Sequence, residues 1–262
     1  MIGHWDVMEE NISKENCYRI SVCLATFNGA VHIGEQLESI LSQLNSDDEL
    51  IVSDDISTDD TLDIIKNYGD ARIKILQTIS RLGPVANFER ALSAARGEFI
   101  FLSDQDDIWE PGKVEAMLQI LNTCDLVVSD CIIVNARNIA ISDSFFAKRN
   151  SGPGLLKNLY KNTYLGCCMA FRTKILIAAL PFPARINMHD EWIGLIAEAL
   201  FRVKFLNSKL IRYRRHGRNA SPELNASGFS WLKRFEIRFY KAVYLTARWL
   251  RYYIFNRTQN LT

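Results

Sequence analysis

The sequence predicts an α/β protein built on a mostly parallel sheet, for three reasons. Short apolar runs alternate with helical patterns through about the first 135 residues. The runs are near-continuously apolar, as strands buried on both faces must be. Polar residues also collect just past the ends of three runs, where open α/β sheets bind ligands. Alternation of this kind demands helices on both faces of the sheet and right-handed crossovers.

The elements follow in order. Residues 19–27, RISVCLATF, form a buried strand closed by a turn at Asn28-Gly29. Residues 31–44 place Ile33, Leu37, Ile40, Leu41 and Leu44 at helical spacing. ELIVSDD (49–55) is a second strand ending in two carboxylates. Residues 57–69 open on a Ser/Thr/Asp cap cluster and close at Gly69, as a helix does. RIKILQ (72–77) is a third strand and 86–97 a helix ending at Gly97. EFIFLSDQDD (98–107) is a fourth strand running into an acid-rich turn. Residues 111–121 form a helix with a proline near its first position, and 125–134 a fifth strand.

Beyond residue 135 the alternation decays into a mixed, partly antiparallel second half, with Gly152-Pro153-Gly154 a candidate mobile loop. The expected organisation is a polar leader over 1–18, a main domain over 19–222 divided near 135, and a helical tail over 223–262. Residues 229–256 put Leu232, Phe235, Phe239, Val243, Trp249, Leu250 and Tyr253 on a helical face. Lys233, Arg234, Arg238, Lys241, Arg248 and Arg251 oppose a single acid, Glu236. Such a helix fits an anionic membrane interface. It equally fits a docked terminal helix with snorkelling basic residues. The membrane reading is slightly favoured.

Composition excludes several classes. The 262 residues carry 48% hydrophobic and 23% charged side chains, enough for a buried core in one large or two small domains. Thirty-one basic against 30 acidic residues leave +1, with no pull toward nucleic acid. No apolar run approaches the roughly 18 residues of a membrane span. The acidic N-terminus lacks the pattern of a secretory signal. The six cysteines form no CxxC pair, and no histidine cluster has zinc-finger spacing. Buried reduced thiols fit best, including the vicinal Cys167-Cys168.

The strongest chemical signal is Ser103-Asp104-Gln105-Asp106-Asp107. Alternation along an extended segment points Asp104 and Asp106 the same way. Clustered carboxylates raise each other's pKa unless a cation sits among them. Mg²⁺ or Mn²⁺ is the natural occupant, held partly by substrate phosphates. Three aspartates alone could merely cap the next helix; at the rim beside two other polar strand ends, the metal reading wins. Asp54 could accept from a base N–H, while Asp55 serves ligand or turn equally well. Arg81 reaches the same rim and could neutralise a phosphate, or simply be solvated. His189-Asp190-Glu191 opens a helical pattern, where a carboxylate could act as general base or as an N-cap. His216 lies between arginines in YRRHGRNAS.

ISVCLATFNGA, IVSDDISTDDT and LSDQDDIW together resemble the inverting nucleotide-sugar glycosyltransferases of family two, which have the GT-A fold. The resemblance covers roughly residues 19 to 220. With HDEW and YRRHGRNAS it looks closest to rhamnosyltransferase-like bacterial members that build surface polysaccharides such as O-antigen or capsule. It implies that Thr26, Phe27, Asn28, Asp54, Arg81 and Asp104 hold the nucleotide. Asp104-Gln105-Asp106 would be the DXD motif, with Asp104, Asp106 and His216 on the metal and Asp107 in support. Asp190 would be the catalytic base; His189 stands where members often have Glu, which leaves Asp190 and Glu191 both open. The segment 164–169 would lie near the acceptor. The implied donor is dTDP-rhamnose or a UDP-sugar, and the acceptor a lipid-linked saccharide reached at the cytoplasmic face of the membrane.

The alternatives lack their own marks. A nucleotidyltransferase would carry a basic glycine-rich loop after the first strand, and ATFNGAVHIGEQ has no Lys or Arg. A receiver domain should be about half this length. A dinucleotide dehydrogenase needs GxGxxG, which is absent. A non-catalytic sugar-nucleotide binder would have no need of the intact acidic motif.

Overall fold

The computed structural model describes residues 18–216 and 230–259, with side chains to residue 254. The expected leader (apart from Tyr18), Cys17 and the Gly217-Arg218-Asn219 segment lie outside the described residues. Strands β1 (Tyr18–Thr26), β2 (Glu49–Asp54), β3 (Ile73–Gln77) and β4 (Gly97–Asp104) pair in parallel in the order β3-β2-β1-β4. Every residue of β2 is buried, as are most of β1 and β4, which explains their unbroken apolar runs. Helices α1 (Ile33–Leu41), α2 (Thr61–Tyr68) and α3 (Pro84–Ala94) make the crossovers. Gly69 ends α2 in the left-handed conformation that glycine adopts without steric cost.

The expected fifth strand is present, but the sheet changes character before it. After β4 come the two-residue β5 (Ile108–Trp109), helix α4 (Lys113–Leu121) and β6 (Leu126–Asn135). The crossover through α4 leaves one position open beside β4. Strand β8 (Met169–Arg172) fills it, antiparallel to both β4 and β6. Strand β9 (Val203–Arg215) then adds parallel to β6, β5 closes the edge antiparallel to β9, and β7 (Ala140–Ser142) pairs with β6 off the main path. Both halves of the chain therefore share one hydrogen-bonded sheet.

Short helices α5 (Phe145–Arg149), α6 (Leu155–Tyr160) and α7 (Lys174–Ala179) precede α8 (His189–Leu200), which packs on α3, α6, α7 and α9 (Trp231–Gln259). The Gly152-Pro153-Gly154 segment, expected to be mobile, is pinned. Buried Asn158 donates to the carbonyls of Gly152 and Gly154, and the Gly154 amide donates to Glu198 at 2.8 Å. The five described cysteines are buried and free, as the sequence predicts.

The parallel register fixes the rim. Thr26 lies opposite Asp54, and Ala25 opposite Asp104, so three strand ends sit side by side. At the opposite end of β4, Gly97 meets β1 so closely that an added Cβ would stand 2.4 Å from the Ser21 nitrogen. Gly97→Ala should destabilise the protein by about 1–3 kcal/mol through overpacking against backbone, read as a lowered urea midpoint; an unchanged midpoint would show that β1 and β4 can part locally.

Candidate active site

The turns after β1 and β2 interlock. Asp54, buried, accepts from Thr26 Oγ1 at 2.9 Å, Ser57 Oγ at 2.5 Å and the Ser57 amide at 2.9 Å. Asn28 adopts positive φ, and its Oδ1 accepts from the Thr58 amide at 2.8 Å. Asp55 accepts from the amides of Leu82 and Gly83 and lies 3.6 Å from Arg81. Arg81 in turn lies over the Phe27 ring, 3.3 Å from its centroid. The sequence expectation gave Asp54 to a base; its three internal donors make it first the organiser of this wall, which presents Phe27 and Arg81.

Gln105 joins that wall to the acid-rich turn. Its side chain accepts from the Phe27 amide at 2.8 Å and donates to the Phe27 carbonyl at 3.0 Å. Gly29 leaves room for it, since a Cβ there would stand 2.3 Å from Gln105 Oε1. Sequence reasoning treated Gln105 only as the spacer of an acidic motif, and the motif's letters alone do not reveal the clamp.

The structure gathers Asp104 with Asp107 rather than with Asp106 and His216, the ligands the sequence set beside it. Single ligand atoms of Asp104, Asp107 and Cys167 lie within 4.8 Å of one another. Asp106 Oδ2 lies 2.7 Å from His216 Nε2. Withdrawal from water, then the charges of Asp106 and Asp190, push Asp104 up to about 8. Burial and the charges of Asp106 and Asp104 hold Asp107 well above the usual carboxylate range. Asp107 Oδ1 accepts from the Arg214 amide, while its buried Oδ2 has no partner. Mutually repelling carboxylates with an orphaned oxygen fit a hard divalent cation. Cys167 does not belong to such a set, because a soft sulfur ligand suits a hard divalent cation poorly.

Two cations brace the cluster from within. Buried Lys113 donates to the Cys167 carbonyl at 2.9 Å and lies over Trp109, and its charge eases the ionisation of Asp104. Arg214, also buried, donates to the carbonyls of Asp106 and Ala136 and to Glu35 at 2.7 Å. Arg214, one of the arginines flanking His216 in the sequence, thus fixes the acid turn.

The structure separates Asp190 from Glu191. Asp190 opens α8, buried, accepting from the Gly166 amide at 3.1 Å and the Glu191 amide at 2.6 Å. Burial and then Glu191 raise it to about 7, and its charge reaches Asp104 across the site. Glu191 is instead neutralised by Lys241 of α9 at 2.5 Å, with the two side chains 8% and 5% exposed. His189 is buried against Phe88, ring centroids 3.7 Å apart, and burial lowers it to about 3, so it is neutral. Lys241 was expected only among the basic residues of the tail; fifty residues separate it from its partner.

The profile described as Glycosyl transferase family 2 matches residues 21–179. The chain belongs to glycosyl transferase family 2. A β-1,3-glucosyltransferase of Escherichia coli, WfgD, named for transfer from UDP-Glc to α-D-GlcNAc-diphosphoundecaprenol, is 29% identical over 68% of this chain and 69% of its own length. The dTDP-rhamnosyl transferase RfbG of Shigella flexneri is 34% identical over 44% of this chain and 38% of its own. Glucosyl-3-phosphoglycerate synthase of Mycobacterium tuberculosis, solved with Mn²⁺, UDP and glucosyl-3-phosphoglycerate, superposes with a TM-score of 0.56 at 21% identity, covering 95% of this chain and 84% of its own. The chain spans 66%, 69% and 79% of the length of three curated relatives that it matches. The family fits the rim: an acid cluster, a stacked aromatic–arginine wall and a buried carboxylate face one another at the carboxyl edge of the parallel strands.

Removing one partner of a buried ion pair strands the other and costs about 3–5 kcal/mol. Lys241→Met should therefore lower unfolding stability by about that amount, and adding Glu191→Gln should recover most of it. Equal losses in the single and double variants, by urea denaturation, would assign the effect to packing alone.

Proposed function

We propose that this family 2 protein is a metal-dependent inverting glycosyltransferase of bacterial surface-polysaccharide synthesis. The observation that carries the reading is the buried carboxylate Asp190 facing the Asp104–Asp107 cluster across the rim. Phe27, under Arg81, and Asn28 face the nucleotide, while Thr26 and Asp54 hold their loop from beneath. Asp104, Asp106 and His216, with Asp107 beside them, would hold Mg²⁺ or Mn²⁺, which would supply positive charge against the diphosphate as it leaves. Arg81 adds charge to the same end.

Asp190 takes the proton of an acceptor hydroxyl. That oxygen bonds to the anomeric carbon as the carbon–oxygen bond to the diphosphate breaks on the opposite face, which inverts the centre. With Asp190 raised to about 7, the base form grows as pH rises through that value. Glu191, by contrast, has Oε1 engaged by the Lys241 ammonium, which holds its charge toward α9.

The donor is a UDP- or dTDP-sugar. The glucosyltransferase and rhamnosyltransferase relatives support one base each, and dTDP-rhamnose is the choice suggested by the sequence resemblance. The acceptor is a lipid-linked saccharide. Helix α9 supports this with two faces: Lys241, Leu245, Arg248 and Tyr252 meet the domain, while Trp231 (75% exposed), Phe235 (65%), Phe239, Trp249 and Tyr253 turn outward. No helix among the described residues is long and apolar enough to cross a membrane. The outward face instead lies in the cytoplasmic leaflet, with Lys233, Arg234 and Arg251 near anionic headgroups.

A panel of nucleotide sugars with Mn²⁺ should raise the melting temperature with one donor above the rest. Asp106→Ala should abolish transfer. Asp190→Asn should remove turnover, at least about 10²-fold, while leaving that thermal shift intact; equal loss of donor binding in both variants would undo the two roles. In the wild type, kcat should climb as pH rises through about 7. Phe235→Asp with Trp249→Asp should weaken binding to vesicles containing anionic phospholipid about tenfold, without changing donor hydrolysis; unaltered vesicle binding would rule out α9 as the contact.

A further inference from the structure

We propose that the groove between α9 and the turn at residues 184–187 holds the polyisoprenyl diphosphate end of the acceptor. This rests on the glycosyl-transfer reading and adds the place where the acceptor's lipid end sits. The groove encloses about 420 Å³. Ile237, Phe239, Tyr240 and Val243 of α9 supply aromatic and aliphatic walls, and Arg185 of the turn and Lys233 of α9 also line it.

Charge and shape favour one kind of occupant. The lining has two cations and one acid, Glu236, a net of +1, and Glu236 is engaged by Lys233 at 2.9 Å. Arg185 is exposed and makes no ion pair among the described residues. A bare anion would gain nothing from the apolar walls, and a neutral hydrocarbon nothing from the cations. An amphiphile with a diphosphate head and an isoprenoid tail uses both. Phe239 and Val243 also belong to the outward stripe of α9, so the walls continue onto the face assigned to the lipid surface.

The groove is also near enough to the chemistry. Asn187 lines it and precedes Asp190 by three residues, a reach of at most about 10 Å of extended chain. A short saccharide bridges such a distance, so a sugar attached to the diphosphate can present its hydroxyl to Asp190. The Lys241–Glu191 pair ties α9 to the first turn of α8. The α9 wall is thus fixed relative to Asp190.

The test uses the full chain and farnesyl diphosphate, titrated by calorimetry in excess EDTA so that the metal-dependent donor site is not engaged. Farnesyl diphosphate should bind at least tenfold more tightly than inorganic diphosphate or farnesol. Arg185→Ala and Val243→Glu should each weaken it at least tenfold, and Ile141→Asp, on exposed β7 outside the groove, should leave it unchanged. Glu236→Gln should tighten it several-fold, a gain that misfolding cannot produce. Equal binding of inorganic diphosphate, or full affinity in Arg185→Ala, would overturn the assignment. Donor hydrolysis, followed in parallel with Mn²⁺, separates the two readings. Loss of the groove result with hydrolysis intact rejects only the groove; farnesyl diphosphate binding in a protein that hydrolyses no donor rejects the transferase reading instead.

Discussion

Like charges gathered in a small volume set the terms for this molecule. Asp104, Asp106, Asp107 and Asp190 approach one another at the carboxyl edge of the parallel strands, and the first and third are raised because they lack water and repel. The surrounding structure keeps them there. Lys113 is buried below, Arg214 grips the turn by its carbonyls, and Gln105 stitches that turn to the loop after β1. These contacts hold carboxylates in an arrangement they would leave if free. An acid cluster prepared in this way is suited to a divalent cation without reorganising first.

Asp190 and Glu191 show how burial gives adjacent residues different surroundings. Asp190 and Glu191 have the same chemistry and share the first turn of one helix. Glu191 turns toward α9 and meets an ammonium group, whereas Asp190 turns toward Gly166 and the acid cluster and meets only backbone amides. Proximity in the chain says nothing of this division. The direction each side chain leaves the helix decides it.

Much of this was legible in the sequence because it is local and periodic. The apolar runs of β1, β2 and β4 announce buried strands, and a parallel register then brings Thr26, Asp54 and Asp104 to one rim without further information. What was not legible depends on long-range contact. Strand β5 has two residues and no periodicity. The intrusion of β8 between β4 and β6 depends on which edge remains open. Lys241 reads as one basic residue among several until the fold sets it on Glu191. Gly152-Pro153-Gly154 has the composition of a loose loop, yet Asn158 and Glu198 bind it.

The antiparallel β8 has a mechanical implication. Because it is laced to β4 on one side and β6 on the other, the first four strands and the later ones share one ladder and cannot swing apart like jaws. Access to the rim then falls to the loops crowning the sheet, while the framework holds the spacing between the acid turn after β4 and the start of α8.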